Sequence, residues 1–121
     1  VPPLNEALPE RSEVVEKTYF NALLEDGMLE KIKSYGKKQI VIFGIETHIC
    51  VHQTASALVE AGFDVYVIKD ACASRAKYEF KQGIDAMIAN GVKISCVEIA
   101  LFEWLKGAKN PKFKEVQALI K

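Results

Sequence analysis

An α/β fold on a doubly wound, Rossmann-like parallel sheet is what this chain of 121 residues predicts, and three observations carry the prediction. Short apolar runs alternate with longer segments at helical spacing, the pattern of βαβ units with right-handed crossovers. The run Ile40-Val41-Ile42-Phe43-Gly44 is almost wholly apolar, as in a strand covered on both faces. Gly36, Gly62 and Asn90-Gly91 close the helical segments, where a left-handed residue commonly ends a helix.

The elements follow in order. The first dozen residues hold three prolines and read as a surface loop. Ser12 to Glu16 has a small β core in Val14-Val15, with Lys17 at its end. Leu23 to Tyr35 sets Leu24, Met28, Leu29 and Ile32 at helical spacing, and the strand Ile40 to Gly44 comes next. A helix is expected over Ile49 to Ala61, a strand over Val65 to Ile68, and a turn over Lys69 to Arg75. A longer helix runs from about Lys77 to Asn90, then a strand from Val92 to Ser95. Glu98 to Lys106 and Pro111 to Ile120 are closing helices, the second with Asn110 as cap and Pro111 at its first position. No repeat, low-complexity stretch or linker interrupts residues 1–121, so one domain is expected. A sheet of these four strands, one of them minimal, leaves an apolar edge bare. Further strands are therefore expected upstream of Val1.

Sixteen basic and sixteen acidic residues cancel, without the basic stripe of a nucleic-acid binder. No apolar run approaches the ~20 residues of a membrane span, and the amino-terminal residues do not resemble a signal peptide. Three cysteines without CxxC spacing argue against a disulfide framework and for a reducing, cytoplasmic setting.

Cys50 is the leading candidate for chemistry. A free cysteine at a strand–helix joint reads either as a small packed residue or as a nucleophile. Its position favours the second reading, because a helix amino terminus favours thiolate and α/β folds place chemistry at the carboxyl ends of strands. The backbone N–H groups of Glu46 and Cys50 are expected to converge there on a developing oxyanion. Lys17, at the end of its short strand, faces the same edge and would stabilise a thiolate. Asp70 is expected to cap its turn or hold Arg75, and is a weaker candidate for a general base. His48 and His52 flank Cys50 four apart, but without a third ligand at suitable spacing no metal site is expected. Phe20, Thr47 and His48 are expected around a substrate pocket. Cys72 and Cys96 read as packed thiols, and Trp104 and Phe102 as apolar surface for a homo-oligomer.

Gly44-Ile45-Glu46-Thr47-His48-Ile49-Cys50-Val51, with Thr54-Ala55, Gly62, Val65 and Asp70-Ala71, resembles the isochorismatase-like cysteine hydrolase superfamily. Gln53-Thr54, Ser74-Arg75 and the segment Pro111 to Lys121 look more narrowly like its isochorismatase domain-containing protein branch. The resemblance implies a three-layer fold with six parallel strands, an Asp-Lys-Cys triad and a cis peptide at Ile45-Glu46. Cys50 and Lys17 match two triad members. The aspartate has no counterpart in this chain, which is expected to lack the first two βα units, on the order of 60 residues. The implied chemistry is attack of the thiol on a small amide or related C–N substrate, through a covalent intermediate that water resolves. No cofactor is implied. Glu46 would disfavour an anionic substrate, which sets the chain apart from isochorismate hydrolysis. The alternative is a catalytically inactive member acting through oligomeric contacts.

Overall fold

The apolar runs form three parallel strands, β1 (Gln39–Ile45), β2 (Asp64–Ala73) and β3 (Lys93–Ser95), side by side in that order. The computed structural model describes residues 6–120, so the loop expectation for residues 1–5 falls outside it. Among the described residues the helices α1 (Met28–Ser34), α2 (His52–Glu60), α3 (Lys77–Ala89), α4 (Val97–Leu105) and α5 (Phe113–Leu119) accompany the strands.

The alternation of side chains along a strand decides what each face meets. Ile40 and Ile42 of β1 point with Val65 and Val67 of β2 into a core closed by Val51, Ala55, Leu58, Ile84 and Met87. Helices α2 and α3 thus cover this face. Helix α4 lies on the other, where Val41, Phe43, Ile68, Val97 and Trp104 bound an apolar recess of about 270 Å³. Coverage there is incomplete: Phe43 is 62% exposed and Ile45 71% exposed. β1 is a sheet edge, as the bare-edge expectation required.

Four local readings are corrected. Val14-Val15 is not a strand; both residues are exposed and have no strand to pair with among the described residues. β propensity without a partner makes no ladder. The helix expected over Leu23 to Tyr35 is split into a 3₁₀ turn, Ala22–Leu24, and α1, because Gly27 is left-handed (φ 73°) at the start of α1. The Lys69 to Ala73 part of the expected turn continues β2: Cys72 and Ala73 pair with Gly44 and Ile45 after a register shift between Ile42 and Gly44. At that shift Gly44 has φ 137°, which other residues rarely adopt. Finally, Phe102 is not free apolar surface; its ring meets Phe113 edge-on at 6.2 Å, whereas Trp104 is exposed.

Candidate active site

The peptide bond after β1, Ile45–Glu46, is cis. The chain then enters α2 through a π-helical turn, Thr47–Val51. The Glu46 carbonyl accepts from the N–H of Ile49 (3.1 Å) and of Val51 (3.2 Å), the latter the wide i→i+5 bond of a π turn. Cys50 lies between those two donors. The helix start read from the sequence is thus this wider turn, a form often found at functional sites.

Lys17 reaches this turn from an irregular segment rather than from a strand. Its ammonium donates to Cys50 Sγ at 3.3 Å and to the carbonyl oxygens of Tyr19 (3.0 Å) and Phe20 (3.5 Å). The two residues are 33 apart in sequence and meet although the strand expected to carry Lys17 to the sheet edge does not form. The contact sets the ammonium directly on the sulfur.

The remaining candidates divide. Glu46 Oε1 accepts from the backbone N–H of Arg75 at 3.0 Å, so its carboxylate is engaged by the loop after β2. His48 Nδ1 lies 3.0 Å from Ser74 Oγ, a second tie between the turn and that loop. Thr47 is fully buried and its hydroxyl has no hydrogen-bond partner, so it lies beneath the turn and not on an open pocket wall. Phe20 is exposed beside Lys17, and its carbonyl is used by that ammonium. His52 turns away to Asn90, whose Nδ2 is 3.5 Å from its Nε2. Among the described residues no group of three or more His, Cys, Asp and Glu gathers as metal ligands.

Asp70 neither caps its own turn nor holds Arg75. Its Oδ1 accepts from Val97 N–H at 2.9 Å and so caps α4. Cys72 sits opposite Gly44 in the sheet, where burial pushes its thiol above the ordinary 9.0; Asp70 adds to this and the Gly44 N–H opposes it.

Two residues were given no role of their own from the sequence. Glu25 Oε2 accepts from Thr18 N–H (2.7 Å) and Tyr19 N–H (2.9 Å). Thr54 Oγ1 accepts from Ala22 N–H (3.0 Å) and donates to the Phe20 carbonyl (3.4 Å). The signal for Glu25 was the following Asp26-Gly27, which ends a helix rather than continuing one. Thr54 stands in the motif that carries the resemblance, but nothing local signals its hydrogen bonds, since its partners lie more than thirty residues away.

Residues 2–99 match the family model of the isochorismatase domain. The chain is 33% identical over 108 residues to the isochorismatase domain-containing protein 1 of Salmo salar, covering 89% of this chain and 38% of that protein. It superposes with a TM-score of 0.88 and 32% identity on the structure of the MAR1 ribonuclease from Caenorhabditis elegans, covering 99% of this chain and 61% of that one. A second solved structure, the YcaC gene product from Escherichia coli, is described as an octameric hydrolase of unknown specificity. It is 29% identical with a TM-score of 0.73, over 79% of this chain and 47% of that one. The chain thus spans less than two thirds of the length of each of these relatives.

Proposed function

Since this chain belongs to the isochorismatase family of hydrolases, we propose that it carries the nucleophile half of a cysteine hydrolase site acting on a small amide or related C–N substrate. The observation that carries this reading is the 3.3 Å contact between Lys17 Nζ and Cys50 Sγ. An ammonium held on a thiol at the mouth of a helix is the arrangement that activates sulfur for attack. In the reaction, Cys50 Sγ bonds to the carbonyl carbon, and the C–N bond breaks as the nitrogen leaves with a proton. Water then cleaves the thioester and restores the thiol. The N–H groups of Glu46 and Cys50 are assigned to the oxyanion, and Phe20 and His48 to the pocket rim. The proton-accepting aspartate of the family has no counterpart among these 121 residues. Residues 1–121 act as one domain in this reading, in a reducing, cytoplasmic setting.

The engaged carboxylate of Glu46 refines the substrate. Its bond to Arg75 N–H turns one oxygen toward the loop while its charge remains beside the sulfur turn. A neutral amide therefore suits the site better than a dianion. The ribonuclease activity in the name of the Caenorhabditis elegans relative is not carried over, because the even charge balance offers no electrostatic footprint for RNA. Among the described residues no helix is long and apolar enough to cross a membrane.

The test is selective alkylation of the full chain. Iodoacetamide at neutral pH is expected to label Cys50 before Cys72 and Cys96. Labelling of Cys50 no faster than the other two thiols would sink the proposal. A second reading, an inactive module working through self-association, is favoured by the exposure of Phe43, Ile45 and Trp104. Sedimentation showing a homo-oligomer together with an inert Cys50 would select it. A reactive Cys50 in an oligomer leaves the first reading in place.

A further inference from the structure

Lys17 lies in a segment, residues 11–20, in which every residue is exposed and no strand or regular helix forms. A lysine in such a place ordinarily keeps its rotamer freedom. Here its ammonium is held on one sulfur. The restraint must come from elsewhere, and the hydrogen bonds identify it. Glu25 Oε2 accepts the two N–H groups that directly follow Lys17, those of Thr18 and Tyr19. The ammonium donates back to the Tyr19 carbonyl. Backbone and side chain of the lysine segment are therefore closed around one carboxylate.

The same carboxylate is tuned for the task. The N–H groups of Tyr19 and Thr18, with a smaller part from the charge of Lys17, hold Glu25 below its ordinary 4.5. An anion accepting two backbone donors is a stronger anchor than a neutral acceptor. Thr54 completes the attachment. Placed one helical turn beyond Cys50, it bonds both Phe20 and Ala22 and fastens the end of the lysine segment to the cysteine's own helix. Glu25 makes no contact with the sulfur among its hydrogen bonds; its partners are the backbone of residues 18 and 19.

We propose that Glu25 is the positioning residue for Lys17: by binding the two N–H groups after it, the carboxylate keeps the ammonium on the Cys50 sulfur. This rests on the reading of Lys17 and Cys50 as a reactive pair, and a double-mutant cycle separates the two claims. The rate of Cys50 alkylation by iodoacetamide at pH 7 is measured by peptide mass spectrometry on the full chain, with Cys72 and Cys96 as internal references. The proteins compared are wild type, Lys17→Ala, Glu25→Gln and the double variant. Lys17→Ala is expected to slow Cys50 about tenfold by removing the cation. Glu25→Gln slows it about threefold, the size of a weakened hydrogen-bonded anchor. In the Lys17→Ala background, Glu25→Gln has no further effect, which a merely structural role would not produce.

A Lys17→Ala protein as fast as wild type overturns the reactive pair, and the proposal with it. A slow Lys17→Ala beside an unchanged Glu25→Gln overturns the positioning role alone, as does an additive loss in the double variant. Fast labelling of Cys72 identifies a variant that has lost its fold. In that case Glu25→Asp, which keeps the charge but shortens the reach, takes the place of Glu25→Gln in the same cycle.

Discussion

A Cβ placed on Gly83 would lie 2.7 Å from the Cα of His48 and 2.9 Å from its nitrogen. Helix α3 therefore lays its backbone directly on the π-helical turn that holds Cys50, and the missing side chain is what permits the approach. Two effects oppose each other in Gly83→Ala. Helix propensity favours alanine by about 1 kcal/mol, but overpacking against rigid backbone costs about 1–3 kcal/mol. Because backbone rather than a flexible side chain meets the new methyl, the clash wins. Urea unfolding is expected to show a net loss and Cys50 alkylation to slow; a Gly83→Ala protein more stable than wild type would contradict this packing.

Thr54→Val keeps the shape of the side chain and removes its hydrogen bonds. The N–H of Ala22 then loses its acceptor and the Phe20 carbonyl a donor. Stability should fall by about 1 kcal/mol. Amide exchange should quicken at residues 18–22 before it quickens in β2. Equal exchange in both proteins over that segment would show that Thr54 does not hold it.

Stability should decline at both ends of the pH scale, for opposite reasons. Glu25 and Asp64 have carboxyls below their ordinary 4.5 and 3.8, the first through the N–H groups of Tyr19 and Thr18, the second through Lys93. A lowered carboxyl contributes stability above its unfolded value and loses it as pH falls through the folded one. The urea midpoint is expected to drop below pH 4.5, and Glu25→Gln to flatten the first part of that drop. For Cys72 and Lys93 the folded values are raised above 9.0 and 10.5, by burial and by Asp64 respectively. Their contribution is complete below those values and is lost as pH rises through the raised ones. Cys72→Ala should therefore remove the earliest part of the alkaline decline. A midpoint that stays level below pH 4.5 would refute the acid half.

Asp70 acts on α4 and not on the sulfur. Asp70→Ala removes the acceptor for Val97 N–H and should cost about 1 kcal/mol, while Asp70→Asn keeps an oxygen there and costs less. Cys50 alkylation should be the same in both. A large change in that rate would return Asp70 to the chemistry.

Much of the scaffold is legible in the chain because it depends on neighbours. Gly36, Gly62 and Gly91 were read as helix stops and take φ of 68°, 98° and 90°. Helix α3 and the centres of β1 and β2 follow from apolar spacing within a few residues. Where the reading failed, a distant partner decided. β2 runs on through Lys69 to Ala73 because Gly44 and Ile45 pair with its far end, and Val14-Val15 stays irregular for want of such a partner. Asp70 looked local and serves a backbone N–H 27 residues away.

The site divides along the same line. Residue type and spacing alone place Cys50 after an apolar strand at the start of a helix and single out Lys17, the latter through a strand that does not form. Only the tertiary structure decided that the ammonium rests on the sulfur, that the turn is π-helical, and that Glu25 and Thr54 hold the lysine segment. These contacts join residues whose meeting depends on the packed sheet and helices. Their free energy appears only after the chain between them has been folded, so no window of sequence contains it.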